Sequence, residues 1–301
     1  MNTPSFNIAA VERDTGLSKD VLRMWERRYG FPLPSRDNHG ERCYPADQVD
    51  RLRLIKRLMD QGHRPGKLIA TPPDELTALM PHRSKQTPPS ASPETGELDE
   101  LLGLIKQHDA AAYQQAMQQR LARQGLQRFV QDTVAPLTQL VGRRWEDGDF
   151  EVFEEHLFTE LTKRLLRQAI AALPGGPRRP RVLLTSVPEE AHVLGLLMVE
   201  ALFALEGAEC IPLGTQMPLL EIGRAAEAHQ ADIVALSFSA AFPQRQIPGL
   251  LQQLRLILPG NAALWAGGAG VARITRTDDA RLLTTLDEAI AALASWHLQR
   301  A

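Results

Sequence analysis

The stretch of this 301-residue chain best suited to chemistry is Glu190-Ala191-His192-Val193-Leu194-Gly195. A carboxylate two residues before a histidine can hold one imidazole nitrogen and leave the other free for a metal. Gly195 allows a bulky planar ligand to approach the backbone. Acid-x-His-x-x-Gly is common, and taken alone it equally describes a surface histidine beside a helix N-terminus. Ser237-Phe238-Ser239 and Gly267-Gly268 each follow an apolar run and add small and polar groups that can line a ligand channel. No Ser/His/Asp set, phosphate-binding glycine loop or carboxylate pair has the context needed to propose catalysis, so the chain is expected not to be an enzyme.

These residues need a scaffold, and the sequence around them alternates apolar strands with helices. Strands are expected at 181–187, 209–213, 232–238, 262–266 and, more weakly, 282–285, with helices at 191–205, 219–229 and 244–258. That alternation predicts a doubly wound parallel sheet, an α/β fold that binds ligands at the carboxyl ends of its strands. His192, Ser237, Ser239, Gly267 and Gly268 all fall at such ends.

The preceding block, 97–173, is helical by pattern. Leu98, Leu101, Leu102 and Ile105 recur at helical spacing, as do Phe129, Val130, Val134, Leu137 and Leu140. Val152, Phe153, Leu157, Leu161, Leu165 and Leu166 form a third such series. Three or four antiparallel helices joined by short loops make a small bundle. The run Pro174-Gly175-Gly176-Pro177 separates this block from the α/β block at 178–301. Before it, residues 71–96 are rich in proline and read as an extended linker, with one helical turn around 74–80.

Residues 1–70 form a module of another kind. They carry 13 Lys/Arg against 9 Asp/Glu, a net of +4, while the chain as a whole is at −2. A basic module on an acidic body suits nucleic-acid binding at one end. Asn7 or Ser5 can cap a first helix, Thr15-Gly16-Leu17-Ser18 makes a tight turn, and Ser18 caps a second helix at 19–29. That helix exposes Lys19, Arg23, Arg27 and Arg28 and can bury Val21, Leu22 and Trp25. The pattern is a helix-turn-helix. The loop 34–44, with Arg36, Arg42 and Tyr44, suits a wing whose cations reach phosphates or a narrow minor groove. A further helix is expected at 45–61. A small helical domain with a solvated basic face has the same pattern.

Specific runs separate these readings. Leu22-Arg23-Met24-Trp25-Glu26-Arg27-Arg28-Tyr29-Gly30-Phe31-Pro32, Pro34-Ser35-Arg36 and Gly40-Glu41-Arg42-Cys43-Tyr44 resemble the signature of MerR-type regulators. The resemblance implies that Ser18, Lys19, Arg23 and Arg27 belong to the DNA-reading element and Arg36, Arg42 and Tyr44 to the wing. The chain has neither the long dimerisation helix nor the cysteines of the metal-sensing members. The Glu190–Gly195, Ser237–Ser239 and Gly267-Gly268 elements resemble the cobalamin-binding fold, with Glu190 standing for Asp and Ser239 for Leu. That resemblance implies that His192 is the lower axial ligand of cobalt, and that Ser237, Ser239, Gly267 and Gly268 line the channel for the nucleotide tail.

Trp145, Val152 and Glu155-His156 resemble the bundle that caps adenosylcobalamin in light-sensing MerR-type repressors, the CarH/LitR group. By that resemblance Trp145 packs on the adenosine, Glu155 accepts hydrogen bonds from the ribose and His156 contacts the corrin side. Light-sensing members place a histidine directly after the tryptophan, to capture cobalt after photolysis. Here that residue is Glu146, a poorer cobalt partner.

The expected architecture is therefore multidomain: an N-terminal all-α winged helix-turn-helix, a middle helical bundle and a C-terminal Rossmann-like α/β domain. The expected function is a repressor that binds double-stranded promoter DNA, assembles as a homo-oligomer (a tetramer by resemblance, or a dimer) and is controlled by adenosylcobalamin and light. A cobalamin-independent repressor relieved by an antirepressor protein, and a corrinoid methyl-transfer protein, are the alternatives. No apolar run reaches the ~20 residues that span a bilayer. With no secretory pattern and only Cys43 and Cys210 as cysteines, the expected location is the cytoplasm.

Overall fold

The computed structural model describes residues 5–37, 40–60, 63–79, 93–174, 179–274 and 277–299. The chain divides into two compact units, one of residues 1–90 with 146–149 and the other of residues 91–145 with 150–301. The expected break at 174–177 lies outside the described residues, except for Pro174.

The first unit comprises β1 (Ser5–Asn7), α1 (Ile8–Thr15), α2 (Lys19–Tyr29), β2 (Ser35–Arg36), β3 (Arg42–Pro45), α3 (Ala46–Asp60), α4 (Pro65–Ala70) and α5 (Pro73–Leu79). Both caps foreseen from sequence are made: the Ala10 amide donates to Asn7 Oδ1 at 2.8 Å, and the Val21 amide donates to Ser18 Oγ at 3.3 Å. Gly16 ends α1 at φ +69°, a left-handed turn that glycine adopts without steric cost. Leu22 and Trp25 of α2 enter a core with Val11, Tyr44, Leu52, Ile55 and Leu68. The strands form a small antiparallel sheet in the order β1-β3-β2. β1 was not foreseen, because three residues are too few to show alternation.

Helix α5 falls where the sequence suggested an extended linker with one helical turn. Leu76 is fully buried in the same core, so the packed module continues past residue 70. Leu76 anchors the helix from within a proline-rich stretch, which composition alone does not reveal.

In the second unit the bundle consists of α6 (Pro93–Lys106), α7 (Ala110–Arg128), α8 (Ala135–Glu146) and α9 (Val152–Ala171). A π-helical turn, Phe129–Val134, joins α7 to α8, just after Gly125 leaves helical geometry at φ 72°. The sheet comprises β4 (Arg181–Thr185), β5 (Glu209–Gly214), β6 (Ile233–Ser237), β7 (Ala263–Gly267) and β8 (Arg281–Leu283). Its helices are α10 (Leu194–Leu205), α11 (Leu219–Ala228), α12 (Ile247–Ile257) and α13 (Leu286–Leu298). All five strands are parallel, in the order β5-β4-β6-β7-β8.

Alternate strand residues serve opposite faces. Val182, Leu184, Ile233, Ala235 and Trp265 pack with α10 and α13, while Leu183, Val234, Leu236 and Leu264 pack with α11 and α12. Helix α10 is apolar nearly all round because it is covered twice. Leu196 and Phe203 face the sheet, and Leu194, Leu197, Met198, Ala201 and Leu202 belong to the bundle core. The bundle and the sheet therefore share one helix, and that helix begins two residues after His192.

Candidate functional site

The chain leaves β4 towards β5 on one side and later places β6 on the other side of β4. This reversal makes a topological switch point at the carboxyl ends of β4 and β6, where open parallel sheets bind ligands. The residues singled out from sequence converge there. Glu190 is almost fully buried, at 1% exposure. Its Oε1 lies 2.6 Å from His192 Nδ1 and also accepts the His192 amide at 3.0 Å. Its Oε2 accepts the Ser239 amide at 2.7 Å. One carboxylate thus orients the imidazole and ties the loop after β4 to the loop after β6. The His192 side chain is 61% exposed, so it is held at Nδ1 yet open to a ligand.

Burial alone would push the Glu190 carboxyl up. The hydrogen bonds from the His192 ring and from the Ser239 and His192 amides outweigh it and hold the group below the ordinary carboxylate range. His192 is shifted upward, chiefly by its hydrogen bond to Glu190, against a smaller opposing effect of burial. The charges of Glu190 and Glu155 add to the rise, so the bundle's Glu155 lies within electrostatic reach of this loop.

These shifts predict a pH dependence. The stabilisation from protonated His192 is complete in acid and is lost as the pH rises through its raised folded value. That from Glu190 is present above the ordinary carboxylate range and is lost as the pH falls through its lowered value. A metal, however, takes a histidine nitrogen only after the proton has left. Metal-centred binding at His192 should therefore weaken by about tenfold per pH unit below the raised value, starting at a higher pH than for an ordinary histidine. Titration of ligand affinity from pH 8 to pH 5 tests this. An affinity that is flat across the range would rule out His192 as a ligand.

The glycines also have a packing role. A Cβ on Gly195 would stand 2.7 Å from Ser237 Oγ, so Gly195 lets the first turn of α10 close onto the end of β6. A Cβ on Gly268, at φ +96°, would stand 2.4 Å from the Phe238 carbonyl oxygen. One on Gly267 would stand 3.2 Å from the Leu283 carbonyl oxygen. These glycines bring backbone against backbone at the strand ends. Ser239 Oγ is buried there with no hydrogen-bond partner among the described residues.

Glu189 is not glycine, yet it has φ 69°. An L-residue in the left-handed region costs roughly 1–2 kcal/mol, against which glycine's extra freedom in the unfolded chain costs about 0.5–1. Glu189→Gly should therefore raise stability by up to about 1.5 kcal/mol, read as a higher midpoint in denaturant. A lowered midpoint would refute the assignment of strain to this residue.

On the bundle, Val152, Glu155, His156 and Thr159 share one face of α9 by their i, i+3, i+4, i+7 spacing. Thr159 Oγ1 donates to Glu155 Oε1 at 2.8 Å, while Glu155 Oε2 lies 3.9 Å from His156 Nε2. His156 is 72% exposed and Val152 half-buried. Trp145, near the end of α8, packs partly buried against the bundle core. Thr159 was not foreseen; its signal is a hydroxyl one helical turn after Glu155.

In the first unit, α2 presents Arg23 and Arg27 on its exposed side, and Lys19 half-exposed beside Glu12 at 3.5 Å. In the wing, Arg36 and Arg42 stand directly opposite each other in register. Like charges so placed repel. Glu26 of α2 relieves this, accepting from Arg42 Nε at 2.9 Å and fastening the wing to the recognition helix. Arg36 donates to the Gly40 carbonyl at 2.6 Å and is otherwise exposed. Tyr44 corrects an expectation. Its side chain lies in the core at 0% exposure, because alternation along β3 turns it inward, and it offers DNA no surface.

Residues 6–68 match the MerR HTH family regulatory protein family, and residues 97–170 match the B12 binding domain family. The HTH-type transcriptional repressor CarH of Myxococcus xanthus is 32% identical over 270 residues, 89% of each chain. The chain belongs to this family of MerR-type repressors. CarA of the same organism, also an HTH-type transcriptional repressor, is 28% identical over 262 residues, covering 85% of this chain and 84% of its own. The second unit's fold is that of a monomethylamine corrinoid protein from Methanosarcina barkeri, with a TM-score of 0.53 over 67% of this chain and 99% of that one, at 16% identity.

Membership gives each unit its context: the first is a DNA-binding module and the second a cobalamin-binding one. The residues present fit a corrinoid. An exposed imidazole is held at one nitrogen, and a buried hydroxyl at the same strand ends has no partner among the described residues. Among the described residues, no helix is long and apolar enough to cross a membrane.

Proposed function

We propose that this chain is a repressor whose hold on promoter DNA is set by adenosylcobalamin, with light as the signal. The observation that carries the reading is the Glu190–His192 pair at the switch point, tied to Ser239, in a chain that also has a winged helix-turn-helix. His192 would hold cobalt through Nε2. Ser237, Ser239, Gly267 and Gly268 would line the nucleotide tail, and Trp145, Val152, Glu155 and His156 the upper side. When bound, the group supplies a cobalt–carbon bond that visible light breaks.

The protein's own part is positioning. Glu190 fixes the imidazole's orientation and tautomer, a role that a carboxylate beside a metal-binding histidine commonly has. Thr159 holds one oxygen of Glu155, leaving the other to accept from ribose hydroxyls. Because α10 belongs to both cores, a change at His192 reaches the bundle through packed side chains. The copies would assemble as a homo-oligomer, a tetramer by family. Several DNA modules in one assembly bind far more tightly than one, so disassembly alone would release DNA.

The test combines gel filtration with retardation of genomic promoter fragments, using protein loaded with adenosylcobalamin in the dark and then under green light. A retarded fragment that is released on illumination, with a later elution volume, is expected. An unchanged elution volume would refute the light switch. DNA binding that persists without cobalamin and ignores His192→Ala would favour control by a protein partner.

A further inference from the structure

Ser186 follows β4 and has no surface exposure. Its hydroxyl donates to the Glu190 carbonyl at 2.5 Å and accepts the Gln216 amide at 3.0 Å. Its own amide donates to the Gly214 carbonyl at 3.3 Å, and its carbonyl accepts the Met217 amide at 2.9 Å. One small residue thus sews the loop that carries His192 to the loop after β5. Two of the four non-glycine residues with positive φ among the described residues, Glu189 and Gln216, adjoin or make these bonds, at 69° and 61°. Such conformations persist only where the surroundings over-determine them, and Ser186 is the group that meets both loops. Glu190 is consequently anchored at two points: its carbonyl by Ser186, and its carboxylate by His192 and Ser239.

We propose that Ser186 is a positioning residue that sets the axial-histidine loop before any ligand arrives, and that couples this loop to the one after β5. The proposal rests on the reading of His192 as the cobalt ligand. A buried serine with both its donor and its acceptor in use has no slack. Loss of the hydroxyl leaves the Glu190 carbonyl and the Gln216 amide unpaired, and the backbone that aims His192 is then free to relax.

The test uses the full chain and the variants Ser186→Ala and Ser186→Thr, the second keeping the hydroxyl. Hydrogen exchange of the cobalamin-free protein is read at segments 186–192 and 214–217, with β7 as internal reference. Cobalamin affinity and the histidine-ligated fraction, from absorbance, are read on the same samples. Ser186→Ala should speed exchange in both loops but not in β7, weaken cobalamin by up to about tenfold, no more than loss of the Glu190 charge that it positions, and lower the histidine-ligated fraction. Ser186→Thr should restore most of each. Unchanged loop exchange in Ser186→Ala overturns the proposal, with or without cobalamin. Faster exchange with unchanged affinity reduces Ser186 to a structural residue and also overturns it. A wild-type protein that takes up no cobalamin, or a His192→Ala variant that binds it as well as wild type, overturns the site reading instead; the exchange data separate the two failures.

Discussion

His192→Ala is expected to weaken cobalamin binding by about 100-fold or more and to abolish the spectrum of histidine-ligated cobalt. Loss of an outer-shell partner of a metal ligand typically costs 10–100-fold, and loss of the ligand itself should exceed the upper end of that range. Glu190→Gln is the graded companion. It keeps the shape and one acceptor but removes the charge that holds the His192 proton, so an intermediate loss of about tenfold is expected. The ranking matters more than either value. If Glu190→Gln were the more damaging, the carboxylate would be acting mainly as the clamp between the two loops, through its bond to the Ser239 amide. Folding should survive His192→Ala, since the side chain is mostly exposed and Glu190 keeps the Ser239 amide; a single cooperative transition with a midpoint lowered by only a few degrees checks this. Binding and spectrum like those of wild type would remove the basis for a cobalamin switch at this site.

The parts of this site legible in the sequence are those fixed by local periodicity. The alternation of apolar runs placed His192, Ser237 and Gly267 at strand ends because strands and helices have different side-chain periods. The helix-turn-helix was legible for the same reason, with Ser18 and Gly16 marking its turn. What could not be read were features made by pairs of residues distant in sequence. The bond from the Ser239 amide to Glu190 spans 49 residues, and the bond between Gln216 and Ser186 spans 30. Neither leaves a pattern in the chain. Tyr44 turns inward on β3, a strand of four residues whose alternation is too short to assign a face without its pairing to β1. Leu76 is one leucine in a proline-rich stretch, and its burial against α3 is a tertiary event. Gly195 was legible as a glycine but not in purpose, because the neighbour that excludes a side chain is Ser237, 42 positions later.

Trp25→Ala is expected to separate the two functions of the chain. Trp25 lies in the recognition helix at 1% exposure and packs in the first unit's core, with residues from Val11 to Leu76. Truncating a buried tryptophan costs about 3–5 kcal/mol, and a module of this size has a total stability near the low end of roughly 5–15 kcal/mol. The variant module should therefore keep only about 0–2 kcal/mol, with a substantial unfolded fraction at working temperature and DNA binding strongly weakened. The second unit has its own cores, in the bundle and on both faces of the sheet. Cobalamin uptake and its histidine-ligated spectrum should thus persist. Arg23→Ala is the control on the same helix: it removes an exposed cation and leaves the fold intact. If Arg23 meets a phosphate, the slope of log affinity against log salt should fall by about 1, with no change in thermal midpoint. Thermal unfolding followed at two wavelengths, one for far-ultraviolet helix signal and one for bound corrinoid, reads both units in one sample. Loss of cobalamin uptake along with DNA binding in Trp25→Ala would show that the units do not fold independently, and control of DNA affinity could then not be ascribed to assembly alone.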